Sequence, residues 1–269
     1  MVGQDSERGQ RVVLIHDFLG EAAWGGLADE VSAFAEVTVL EVPPVRSLNA
    51  NAWARAAHRR LEEFLATTEV PVDLVVGTGN AAGSAAEAAA AGQARHALLV
   101  NPDLSQLVAR DPQVRLPAIP DSIADMLEEL APYITALVEQ GTLPREGIEI
   151  MARHALGDMD TIPAELRATL RELAVDKFSA CFPSNPAGWT AQPDPRGPND
   201  WLHHFAASPQ RCTLWTVPKL GLGEETVKAL HRAVPDADAH VIAMTTDTPW
   251  LEAPRAFAEG IRQLITARA

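Results

Sequence analysis

Two carboxylates stand at the positions that face a ligand in many enzymes. Asp17 comes just after the apolar run Val12-Val13-Leu14-Ile15 and His16, and Asp247 comes three residues after the run His240-Val241-Ile242-Ala243-Met244. Apolar runs without alternation suit strands buried on both faces. Ligands of a parallel sheet bind beyond the C-terminal ends of its strands. In one dry cavity, burial would split two such carboxylates into an acid and a base. The plainer reading of each is a carboxylate that caps the amides of its own turn. A third run, Asp73-Leu74-Val75-Val76, leads into Gly77-Thr78-Gly79-Asn80. No Ser, Cys or Asp lies between Gly77 and Gly83, and Gly79, at the turn itself, has no side chain to attack a carbonyl. Ser84 is the nearest serine, more than one turn into the helix that follows. Lys219 follows a fifth strand, where a solvated amine is the simpler reading and a ligand contact the sharper one.

Metal and nucleotide chemistry find little support. His203 and His204 are adjacent, and neighbours on a helix point about 100° apart, so they chelate poorly together. Cys181 and Cys212 have no partner at metal-site spacing, and they read as two buried thiols in a reducing compartment. Gly77-x-Gly79-x-x-x-Gly83 departs from the dinucleotide fingerprint and follows the third strand, not the first. No cofactor and no metal are expected.

The elements that must position these residues alternate strand and helix. Strands are expected at 12–15, 37–42, 73–76, 97–100, 213–217 and 240–244. Helices are expected at 23–34, 51–66, 81–91, 224–234 and 251–267. Between Asp103 and Pro209 the alternation stops, and helices are expected at 119–139, 144–154 and 163–177. Residues Cys181 to Trp201 hold five prolines, two glycines and two tryptophans, an irregular stretch in which Trp189 or Trp201 is expected to line a cavity. This pattern predicts an α/β fold, a mostly parallel sheet with helices on both faces and a helical insert. The core would comprise 1–103 and 209–269, with a lid at 104–208.

Composition narrows the partners. The 269 residues carry 36 acidic against 22 basic side chains, a formal net charge of −14. Nucleic acid and anionic membranes repel such a surface, and no stretch approaches the ~20 apolar residues of a membrane span. No apolar leader follows Met1, so a cytoplasmic protein is expected. Three lysines against nineteen arginines suggest a GC-rich bacterial source. A homodimer is compatible with the sequence.

The layout resembles the α/β-hydrolase fold over nearly the whole chain. Ile15-His16-Asp17-Phe18-Leu19-Gly20 with Trp24 is similar to that family's oxyanion loop, Asp17 replacing a glycine. Gly77-Thr78-Gly79-Asn80-Ala81 resembles its nucleophile elbow, with Gly79 at the nucleophile position. Thr246 to Pro254 resembles the segment that carries the catalytic histidine, and Asp247 stands in its place. Pro218 to Gly223 holds no carboxylate where the triad acid belongs. The resemblance therefore implies a capped member with a degenerate triad. Phe18 and Asn80 would supply backbone donors, Thr78, Gly79, His16, Trp24 and Trp250 would border the ligand, and Asp17 and Asp247 would carry the proton. The expected activity is noncovalent cyclisation, elimination or isomerisation of an apolar oxygenated small molecule, in bacterial secondary metabolism. The alternatives are a noncatalytic binding protein, or a hydrolase whose carboxylate activates water.

Overall fold

Six apolar segments pair into one sheet because their side chains can be buried on both faces. The computed structural model describes residues 9–16, 19–43, 45, 50–102, 107, 121–156, 159–160, 162–182, 200–217, 223–244 and 248–268. The strands are β1 (Arg11–His16), β2 (Glu36–Leu40), β3 (Val72–Thr78), β4 (Ala94–Val100), β5 (Cys212–Thr216) and β6 (Asp238–Val241). Their order is β2-β1-β3-β4-β5-β6, and every neighbouring pair is parallel. Parallel strands need crossovers, and helices supply them. These are α1 (Leu27–Ser32), α2 (Ala50–Leu65), α3 (Ala82–Ala90) and α9 (Gly223–Ala233). Between β4 and β5 come α4 (Asp121–Leu130), α5 (Ile134–Gln140), α6 (Arg145–Leu156), α7 (Ala164–Cys181) and α8 (Trp201–Ala207), and after β6 come α10 (Pro249–Glu252) and α11 (Pro254–Arg268).

Alternate residues of each strand feed opposite cores. Val13, Ile15, Val75, Leu99 and Leu214 face α2, α3, α8 and α9, together with Trp201 and Phe205. Val12, Leu14, Leu74, Val76 and Leu98 face α1 and α11, with Trp24 and Trp250 at one end. Leu156 of α6 and Leu170 and Ala174 of α7 join this second core, so the insert is anchored to it. A third, small cluster of Leu130, Leu143 and Ile148 holds the insert helices to one another. Burying each large apolar side chain contributes about 1.5–3 kcal/mol.

The sheet is the expected one, and the differences lie at breaks. One helix was expected at 23–34. The chain instead makes a 3-10 turn at Gly20–Trp24 and starts α1 only at Leu27, because Gly25 adopts φ 46. The helix expected at 119–139 breaks at the 3-10 turn Ala131–Tyr133, where Pro132 lacks an amide hydrogen. Pro254 divides the last helix in the same way. β6 begins two residues early and is half exposed, as an edge strand can be. Trp201 opens α8 and is 1% exposed in the first core beside Phe205, 6.3 Å away. Trp189 lies outside the described residues.

The strand order reverses at β1, with β2 on one side and β3 on the other. Such a reversal opens a crevice outside the strand ends. Register pairs His16 with Thr78, so two of the segments singled out in the sequence meet there.

Candidate functional site

The elbow is built by a strand that turns directly into a helix. Thr78 ends β3 in extended conformation, Gly79 turns the chain at φ 53, and a 3-10 turn at Gly79–Ala81 leads into α3. Left-handed backbone suits glycine, which has no Cβ to clash. Gly77 is required for a second reason. A Cβ there would lie 2.7 Å from the Ala81 carbonyl oxygen and 2.8 Å from the Ala85 Cβ. Seven of the nine α3 residues are buried, and their small side chains let the helix lie close on the sheet. Gly79 and Asn80 are half-buried where the residues on either side are buried, so the turn opens outward. The elbow thus keeps its shape without an attacking side chain.

Ser84 does not fill the gap. It is 1% exposed and borders a cavity of about 170 Å³ with His58, Glu62 and Glu87, between α2 and α3. Its hydroxyl has no hydrogen-bond partner among the described residues.

The loop after β1 is pinned by His16. The Leu19 amide donates to His16 Nδ1 at 3.2 Å, which places the proton of the neutral ring on Nε2. The His16 ring stands edge-on to Trp24 at 6.3 Å and to Trp250 at 6.0 Å. Trp24 and Trp250 are 0% and 1% exposed, with centroids 4.9 Å apart. Trp250 Nε1 donates to the Ala23 carbonyl at 2.5 Å, joining chain segments 227 residues apart. These three rings form an apolar wall at the end of β1. Buried polar atoms remain beside it: among the described residues neither Trp24 Nε1 nor Thr78 Oγ1 has a partner.

Asp17, Phe18, Asp247 and Lys219 lie outside the described residues, as does 218–222, where the triad acid belongs. Trp250 packs on His16. The ends of β4 and β5 are tied by Asn101. It adopts φ 46, its amide donates to the Trp215 carbonyl at 3.0 Å, and its side-chain oxygen accepts the Val217 amide at 3.1 Å.

Glu41 and Lys177 were not singled out in the sequence, yet both border the loop. Glu41 directly follows β2, and its carboxylate accepts the Glu21 amide at 2.8 Å. Lys177 of α7 is 8% exposed, with Nζ 3.6 Å from Glu41 Oε1. The strand-end rule would have found Glu41. Nothing local marks Lys177. His203 and His204 stand with ring centroids 5.4 Å apart, and His204 Nε2 lies 3.8 Å from Glu87. Burial lowers the pKa of His204, against the pull of Glu87.

No protein-family model matches the sequence, and no curated protein matches it. Solved structures do. A hydrolase from Oleispira antarctica is similar at 12% identity and TM-score 0.63, over 96% of this chain and 91% of that one. A serine hydrolase involved in carbazole degradation is similar at 12% identity and TM-score 0.58, over 97% and 92%. Tomato methylketone synthase I, complexed with β-ketoheptanoate, is similar at 12% identity and TM-score 0.53, over 97% and 98%. At such identities the likeness is one of architecture: a mostly parallel sheet with helices around it. The fold of this chain is that of the α/β-hydrolases.

Proposed function

We propose that this chain is a non-hydrolytic enzyme that moves a proton on an apolar, oxygen-bearing small molecule without forming a covalent intermediate. Gly79 carries the proposal. It occupies the elbow at φ 53 and has no side chain, and Ser84 borders a cavity between α2 and α3. Backbone amides at such a turn can still hold a developing oxyanion. In this reading the amides of Phe18 and Asn80 hold a carbonyl oxygen. Asp17 and Asp247 act as base and acid, the less solvated one keeping its proton. The rings of His16, Trp24 and Trp250 exclude water from one side. Thr78 Oγ1 and Trp24 Nε1 are buried donors that an oxygen atom of the ligand could satisfy, and an unpaired buried donor costs about 1–3 kcal/mol. Helices of 104–208 form a lid. The reaction is a cyclisation, elimination or isomerisation, in bacterial secondary metabolism.

The β-keto acid bound to the methylketone synthase suggests the probe. A β-keto acid joins a carbonyl oxygen and an acidic α-carbon to an apolar tail. The expected outcome is catalysed deuterium incorporation at that α-carbon in D2O, followed by NMR. Asp17→Asn and Asp247→Asn should each slow it by ~10²-fold or more. Full turnover in both variants would remove the carboxylates from the mechanism. The vacant elbow also supports a second reading, a noncatalytic binding protein, which would bind the same probe without raising its labelling above the rate of the protein-free probe.

A further inference from the structure

The loop that would hold the substrate oxygen is fastened from outside by two residues with no place in the chemistry above. Glu41 turns its carboxylate over the loop backbone. One oxygen accepts the Glu21 amide at 2.8 Å. At Gly20, which adopts φ 62, an added Cβ would overlap both carboxylate oxygens, so the loop lies directly under Glu41 and a side chain here would displace that carboxylate. The other oxygen faces Lys177 Nζ at 3.6 Å. Lysine is seldom 8% exposed unless its charge is matched, and here it reaches Glu41 from the insert helix α7. That helix is held at the same place by a second contact. One turn further on, the Cys181 thiol lies between two acceptors, the Lys177 carbonyl of its own helix at 3.3 Å and the Val45 carbonyl, on the segment that follows β2, at 3.4 Å. Leu166, earlier on α7, approaches the loop's other end, where a Cβ at Gly25 would lie 3.4 Å from its Cδ2.

Two fastenings hold this end of the loop. The Leu19 amide is tied to His16 and, two residues further on, the Glu21 amide is tied to Glu41. We infer that Lys177 and Glu41 are positioning residues that couple the docked insert helix α7 to the loop residues Leu19 to Glu21. This rests on the reading of that loop as the oxyanion-binding loop. When α7 is docked, the Lys177 ammonium holds the Glu41 carboxylate over Gly20, and the carboxylate holds the Glu21 amide. Without the ammonium the carboxylate is free to turn to solvent, since its side chain is 57% exposed.

Amide hydrogen exchange on the full chain tests the coupling without requiring a known substrate. In Lys177→Met and in Glu41→Ala the amides of residues 19–22 should exchange at least tenfold faster than in the parent. Amides of β4 and β5 should be unchanged, and Lys177→Arg should restore slow loop exchange. Glu41 is exposed, so its variant reports even if Lys177→Met fails to fold. Unchanged loop exchange in Glu41→Ala would overturn the inference, as would a failure of Lys177→Arg to protect the loop. The β-keto acid probe separates this from the functional reading. Faster loop exchange with slower turnover at unchanged KM supports both. Faster loop exchange with undiminished turnover supports the coupling and removes the loop from the chemistry.

Discussion

On the proposed reading, Gly79 decides more of the chemistry than any other single residue. Placing a hydroxyl there should not create a hydrolase, because that reading gives the position of the base to Asp247, and an ionised carboxylate cannot replace imidazole in the relay. Gly79→Ser is expected to hydrolyse 4-nitrophenyl butyrate no faster than the parent. It should also unfold at lower temperature, since a side chain at φ 53 costs about 1 kcal/mol or more. Nitrophenolate release that rises a hundredfold would show that a working base stands nearby. Trp250 offers a test of the wall. Trp250→Phe keeps the ring contacts with Trp24 and removes the donor to Ala23, leaving a buried carbonyl unpaired. A loss of about 1–3 kcal/mol is expected, read as a melting temperature lower by several degrees.

At the level of elements, α8 packs on α3 through a titratable contact. His204 of α8 faces Glu87 of α3, with His58 of α2, His203 and Asp200 around it. Burial holds the folded-state pKa of His204 below its ordinary 6.5, so the unfolded chain takes up the proton first as pH falls. This contribution is therefore intact above pH 6.5 and declines below it. The melting temperature should fall between pH 7.5 and 5.5, and the fall should be smaller in His204→Gln. An identical pH slope in the variant would contradict the assignment. Gly77 bears on α3 in another way. Gly77→Ala drives a methyl against the Ala81 carbonyl and the Ala85 side chain, and should destabilise by about 1–3 kcal/mol in chemical denaturation.

Across the whole molecule, an excess of fourteen negative charges makes the folded state repel itself. Salt screens that repulsion over about 10 Å at 0.1 M. The melting temperature should rise when sodium chloride goes from 20 to 300 mM. A fall would show that paired charges, such as Arg262 with Glu259 or Arg153 with Glu129, outweigh the net field. Among the described residues no helix is long and apolar enough to cross a membrane.

What was legible in the chain and what was not divides along physical lines. Strand positions, their parallel arrangement and the helical insert follow from apolar periodicity, which is a local property and survives any tertiary arrangement. The missing nucleophile is also local, since glycine at position 79 has no side chain in any fold. Breaks at Gly25 and Pro254 were written in residue types whose backbone limits are equally local. Other features depend on surfaces brought together from far apart. Trp250 meets Ala23 across 227 residues, His16 lies beside Thr78 only because β1 pairs with β3, and Lys177 meets Glu41 only because the insert docks on the loop. Ser84 borders a cavity between α2 and α3 because the sheet fixes which side of α3 lies against α2. Such contacts form through packing that many sequences could satisfy differently, and only the folded chain selects one.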